Sequence, residues 1–138
     1  GPETMLPYIK EIKSQVKCHV GALPIPFRTN EKQPTFFNLD DYNNCTCLSP
    51  HGRTFPTALD PLFCNRYEIR KFMQECYQMG LKYLGVCCGA NPMLIREVAD
   101  VMGKNPPAMR FKENMSNHFI YGNNKRIAKH ISDYGDKA

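Results

Sequence analysis

Two adjacent cysteines, Cys87 and Cys88, stand between an apolar run and a helix-start signal, and this junction constrains the fold more than any other stretch. Residues 81–86 read as a short buried strand. Asn91 has the chemistry of a helix N-cap, and Pro92 takes the first helical position, where its missing N–H costs nothing. Leu94, Ile95, Val98, Ala99 and Met102 then recur on one helical face, which Gly103 ends. A strand therefore delivers two thiols to its carboxyl end and a helix carries the chain away. In barrel and open α/β sheets that edge is where active sites are assembled.

Neighbouring side chains on a regular strand point to opposite faces, so two adjacent cysteines there would not share an ion. At a strand-to-turn break, with flexible Gly89 next, both can converge. A disulfide between neighbours would strain the intervening peptide, and a structural zinc knuckle spaces its ligands CxxC. The pattern suggests a thiolate metal site completed from elsewhere. The competing reading is a pair of buried free cysteines acting as small hydrophobes.

Upstream, residues 3–16 read as a helix with Met5, Leu6, Ile9, Ile12 and Val16 as its stripe. Residues 17–25 read as a strand ended by Pro24 and Pro26, with Cys18 in the core and His19 hydrogen-bonded. Residues 27–64 show neither period, and prolines interrupt them. Cys45 and Cys47 are the tempting metal pair there, without a histidine spacing to complete them. Residues 65–79 form the clearest helix: Asn65 and Glu68 match a capping box, Ile69, Phe72, Met73, Cys76 and Tyr77 its core face, and Gly80 its end. Beyond Gly103 come Pro106-Pro107, an extended polar arm, and a short helix over 124–133; His118 and His130 are read as lone and exposed.

The order helix, strand, loop, helix, strand, helix is βα grammar, with parallel strands expected. The net charge of +5 is scattered over helix faces, which argues against a nucleic-acid surface. Seven unevenly spaced cysteines, with no signal peptide or membrane-length apolar run, suit a reducing cytoplasm rather than a secreted disulfide framework. No membrane partner is expected.

The segment Gly85-Val86-Cys87-Cys88-Gly89 resembles the GGCCG motif of the zinc-dependent homocysteine S-methyltransferases. Residues 66–72, RYEIRKF, 79–85, MGLKYLG, and 105–108, NPPA, resemble its betaine-using branch, and the likeness runs with gaps over most of the chain. Val86 departs from the motif's second glycine and would add bulk beside the metal. The resemblance implies an α/β fold: residues 1–104 as the last two strands and flanking helices of a (β/α)8 TIM-type barrel, and 105–138 as a carboxyl-terminal oligomerisation arm. Gly1-Pro2 suits either a protease scar or native sequence; the native reading makes this chain the carboxyl-terminal piece of a longer enzyme.

Under the same resemblance Cys87 and Cys88 are two of three cysteine ligands on one Zn2+, with the third upstream of Gly1. The open coordination place takes the homocysteine thiol, which attacks a methyl of betaine and gives methionine and dimethylglycine. A thiol is only a few per cent ionised at neutral pH, so full deprotonation raises its reactive form about thirtyfold. The complete protein is expected to be a homo-oligomer and the chain alone inactive. The alternatives are another methyl donor (S-methylmethionine, S-adenosylmethionine or a methylfolate), a zinc module in which Cys45, Cys47, Cys87 and Cys88 share one structural site, or a noncatalytic interaction fragment.

Overall fold

The computed structural model describes residues 1–40 and 54–111 with the single positions 116 and 133. The chain divides into two units, Gly1–Asn105 and Pro106–Ala138. The first is a small α/β domain: α1 (Pro2–Gln15), β1 (Gly21–Ala22), α2 (Arg66–Gln78), β2 (Tyr83–Leu84) and α3 (Pro92–Val101). β1 and β2 pair in parallel, Gly21 opposite Tyr83 and Ala22 opposite Leu84. In the second unit the described part is a 3-10 turn over Pro107–Phe111, with Met109 N–H donating to the Pro106 carbonyl at 2.8 Å. The rest of the expected arm, its helix over 124–133 included, lies outside the described residues but for the two single positions.

Local chemistry sets the helix ends. The Asn65 side chain accepts from Tyr67 and Glu68 N–H, while Glu68 accepts from Asn65 N–H at 2.7 Å, completing the capping box. At the other end Gly80 N–H bonds to Tyr77 C=O and Leu81 N–H to Cys76 C=O, with Gly80 at φ +87°. This is a Schellman cap, and it turns Leu81 straight into the core. Gly103, at φ +67°, closes α3 in the same way through Asp100 and Ala99. Asn91 caps the start of α3 by accepting from Leu94 N–H at 3.0 Å.

The core joins the three helices to one sheet face. Ile9 of α1, Ile69, Phe72, Met73 and Cys76 of α2, and Leu94 and Val98 of α3 pack with Ala22, Cys64 and Leu81. Arg70 of α2 pairs with the buried Glu97 at 2.6 Å and with Asp100, so α3 is held by charge as well as by apolar contact. A carboxylate this buried needs such a partner.

Both strands are shorter than their sequence runs, and the second is not buried throughout. Pro24 and Pro26 have no N–H to donate, so β1 cannot run to residue 25 as a paired strand. Residues 17–19 precede it, which leaves Cys18 and His19 exposed rather than in the core. Leu84 and Val86 pack toward the helices, whereas Tyr83 is 69% exposed on the uncovered face. Ile12 and Ile95, expected on buried stripes, are exposed.

The irregular segment is closed at two levels. Phe27 and Phe63 form an antiparallel bridge, flanked by Arg28 N–H to Leu62 C=O and Cys64 N–H to Pro26 C=O, each 2.8 Å. Farther out, buried Thr54 donates from both its N–H and hydroxyl to Leu39 C=O. Phe27, Phe36, Phe37, Phe55 and Phe63 pack ring to ring, with Phe37 on the exposed side. Arg28 ties the segment to α2 through two bonds to Glu68, at 2.7 and 2.8 Å. That guanidinium holds the Glu68 carboxyl below its usual range.

Asn65→Ala should cost about 1–2 kcal/mol in urea unfolding, since two amide N–H groups lose their acceptor. Burial pushes the Cys64 and Cys76 thiols up to about 11. The folded state therefore favours their protonated form, and the stability this contributes is present below the ordinary thiol value and lost as pH rises through the folded one. Unfolding free energy should fall between pH 9 and about 11, and less steeply in a Cys64→Ala/Cys76→Ala variant.

Candidate metal centre

β2 passes its hydrogen bonding on to the cysteine turn. Gly85 N–H donates to Ala22 C=O at 3.1 Å, and Cys87 N–H donates to Pro24 C=O at 2.9 Å. The chain then reverses, with Ala90 N–H bonded to Cys87 C=O at 3.0 Å and Gly89 at φ +91° in the third place of the turn. That place needs a positive φ in a type II turn, which suits glycine. Beyond it, the Asn91 cap starts α3 at once.

This break brings the two thiols together, as expected at a strand end. The Cys87 and Cys88 sulfurs stand 3.7 Å apart, and both side chains are exposed. Two thiolates on one tetrahedral zinc, with Zn–S near 2.3 Å, stand about 3.8 Å apart, the edge of the tetrahedron. The pair thus fits two corners of one ion, and sulfur is the donor that a soft site prefers. Among the described residues no group of three His, Cys, Asp or Glu is placed to hold a metal.

Other sequence candidates sort differently. Cys76 and Cys64 are buried in the core. Cys45, Cys47, His118 and His130 lie outside the described residues. Val86 packs against the core on the helix side. A cavity of about 450 Å³ opens between α1 and α2, lined by Leu6, Phe27, Arg28, Cys64, Lys71 and Phe72 among others, but by neither Cys87 nor Cys88.

The sequence leaves Phe27 and Tyr42 equally free to approach the site from the irregular stretch, and Tyr42 lies outside the described residues. Phe27 lies under the cysteine turn: a Cβ at Gly89 would sit 3.1 Å from its ring and 3.2 Å from the Pro26 ring. The one available signal was Pro-Ile-Pro-Phe itself, an extended run unable to continue as an ordinary paired strand.

No family model matches the chain. Individual relatives do. Betaine–homocysteine S-methyltransferase 1 of Pongo abelii is 30% identical over 100 residues, 69% of this chain and 21% of the relative. S-methylmethionine–homocysteine S-methyltransferase BHMT2 of the same organism is 30% identical over 118 residues, 78% of this chain and 29% of the relative. The Danio rerio betaine–homocysteine S-methyltransferase 1 is 44% identical over 92 residues, 64% of this chain and 19% of the relative. The chain spans between about a fifth and three tenths of the length of these curated relatives. Over that part it is a family-level match, at moderate identity, to the betaine– and S-methylmethionine–homocysteine S-methyltransferases.

Proposed function

We propose that the chain is part of a zinc-dependent homocysteine S-methyltransferase, in which a methyl group passes to the homocysteine thiol and methionine is formed. The 3.7 Å sulfur separation at the end of β2 carries this reading, together with the relatives' common reaction. Cys87 and Cys88 would hold the zinc; bound there, it would supply a substrate thiol kept as thiolate at neutral pH. The chain's own residues set the stage. Pro24 C=O holds the Cys87 backbone, Gly89 turns it, and the capped α3 fixes the far side.

A third cysteine from sequence preceding Gly1 completes the proposed ligand set. In this reading β1, β2 and the three helices are the last two βα units of a (β/α)8 barrel, with 105–138 an oligomerisation arm. Betaine is the proposed donor and the cytoplasm the setting. S-methylmethionine is the second reading, favoured by the longer match to that enzyme, 78% of the chain against 69%.

In the complete protein, Cys87→Ser or Cys88→Ser should remove zinc and abolish methyl transfer, because a hard oxygen replaces a soft charged ligand. Cys76→Ser should lower stability and leave zinc in place. Metal analysis with a methionine-formation assay decides it, and full zinc retention in the Cys87 variant sinks the assignment. Running that assay with betaine and with S-methylmethionine in turn selects the donor. The 138-residue chain alone, with two protein thiolates, should hold zinc weakly and show no turnover; activity near that of a full-length relative would contradict the need for an upstream ligand.

A further inference from the structure

We infer that Phe27 is a positioning residue for the Cys87–Cys88 dithiol, setting the sulfur spacing through the backbone of the turn; this rests on reading the pair as a shared site. Both thiols are exposed, so packing of their own side chains does not hold them at 3.7 Å. Their spacing depends on the turn, which is closed by Ala90 N–H on Cys87 C=O and held to the rest of the domain by two contacts in particular. One is the Cys87 N–H bond to Pro24 C=O. The other is the Phe27 ring, with Cε2 and Cζ at 3.1 and 3.2 Å from where a Gly89 Cβ would stand.

The ring is itself fixed and cannot yield to the turn. It is 8% exposed, stacked on Phe36 at 5.7 Å between centroids, and met edge-on by Phe63 at 5.5 Å. Its backbone is pinned by the bridge to Phe63, with Pro26 C=O bound to Cys64 N–H and Arg28 N–H to Leu62 C=O. Gly89 therefore lies on a rigid floor. Without the ring, a glycine at φ +91° keeps only the Pro26 ring beneath it, and the turn can sample geometries in which the two sulfurs diverge. The aromatic segment that looked like a loose excursion would then act as a support for the metal ligands.

The test uses the 138-residue chain and phenylarsine oxide, whose trivalent arsenic condenses with two thiols, forms two As–S bonds and releases water. Phe27→Ala should weaken arsenical binding about tenfold, the lower end of the effect of losing outer-shell support of a metal ligand. Phe27→Tyr, which keeps the ring, should restore wild-type binding. Met73→Ala, which empties a different part of the core, should leave it unchanged at temperatures where the chain is folded. Equal weakening by Met73→Ala, or unchanged binding in folded Phe27→Ala, overturns the proposal. If Phe27→Ala does not fold, Phe27→Leu takes its place, with weakening of about threefold expected from partial loss of the same support and wild-type binding counting against it. Zinc content of the complete wild-type protein separates the two ideas. Zinc absent with the arsenical effect present removes the metal reading and leaves the positioning intact; zinc present with no arsenical effect removes the positioning alone.

Discussion

The hydrogen-bonding edge of the extended segment from Ala22 to Arg28 governs the rest of the fold. Its even-numbered residues offer carbonyls in sequence. Ala22 takes Gly85 N–H, Pro24 takes Cys87 N–H, and Pro26 takes Cys64 N–H. The edge changes partner between the two prolines, from β2 to the returning end of the irregular segment. Neither proline has an N–H to leave unsatisfied, so the change costs no buried donor. Because the two partners meet on adjacent carbonyls, the cysteine turn and the Phe27–Phe63 bridge are neighbours. The ring under Gly89 follows from that junction.

The helices were legible because their ends are written locally. Asn65 with Glu68, Gly80, Asn91 with Pro92, and Gly103 each act within one helical turn, and each performs the expected bond. The strands were legible only as candidates. An apolar run reports what can be buried, whereas pairing depends on a partner's donors, and the prolines withheld them. That is why β1 stops short of residue 25; at its other end Cys18 precedes the strand and is exposed. The closure of the irregular segment depends on rings at 27, 36, 37, 55 and 63, whose contacts no local period encodes. The dithiol could be found from adjacency and Gly89. Its support could not be selected, because Phe27 lies far away in the chain and Tyr42 was as free to approach.

Burial separates the described cysteines into chemically different groups. Cys64 and Cys76 sit where a thiolate is disfavoured, so they remain protonated near neutral pH and behave as small apolar side chains. Cys87 and Cys88 stand at the solvent edge, where a soft ion can reach them. Cys18 is exposed as well, as a single thiol in its stretch of sequence. Pairing as well as exposure thus sets Cys87 and Cys88 apart, since a lone exposed thiol can offer an ion one bond only.

Among the described residues, one face of the sheet is covered. Ala22, Leu84 and Val86 meet the helices, while Leu23 and Tyr83 remain 39% and 69% exposed on the other side, beside Gly21 and Gly85. Parallel strands normally have both faces covered, because their crossovers place structure on each side or close the sheet on itself. Two parallel strands with one bare face are therefore consistent with part of a larger α/β fold. Gly21 is crowded on that face, since a Cβ there would lie 2.7 Å from the Tyr83 ring. The ring leans across β1 in this arrangement and fills the space above Gly21. Alternation then relates the bare face to the chemistry: Tyr83, Gly85 and Cys87 share a strand parity, so the bare face leads toward the first thiol. Val86, on the opposite parity, can carry a branched side chain into the helical layer without narrowing that approach.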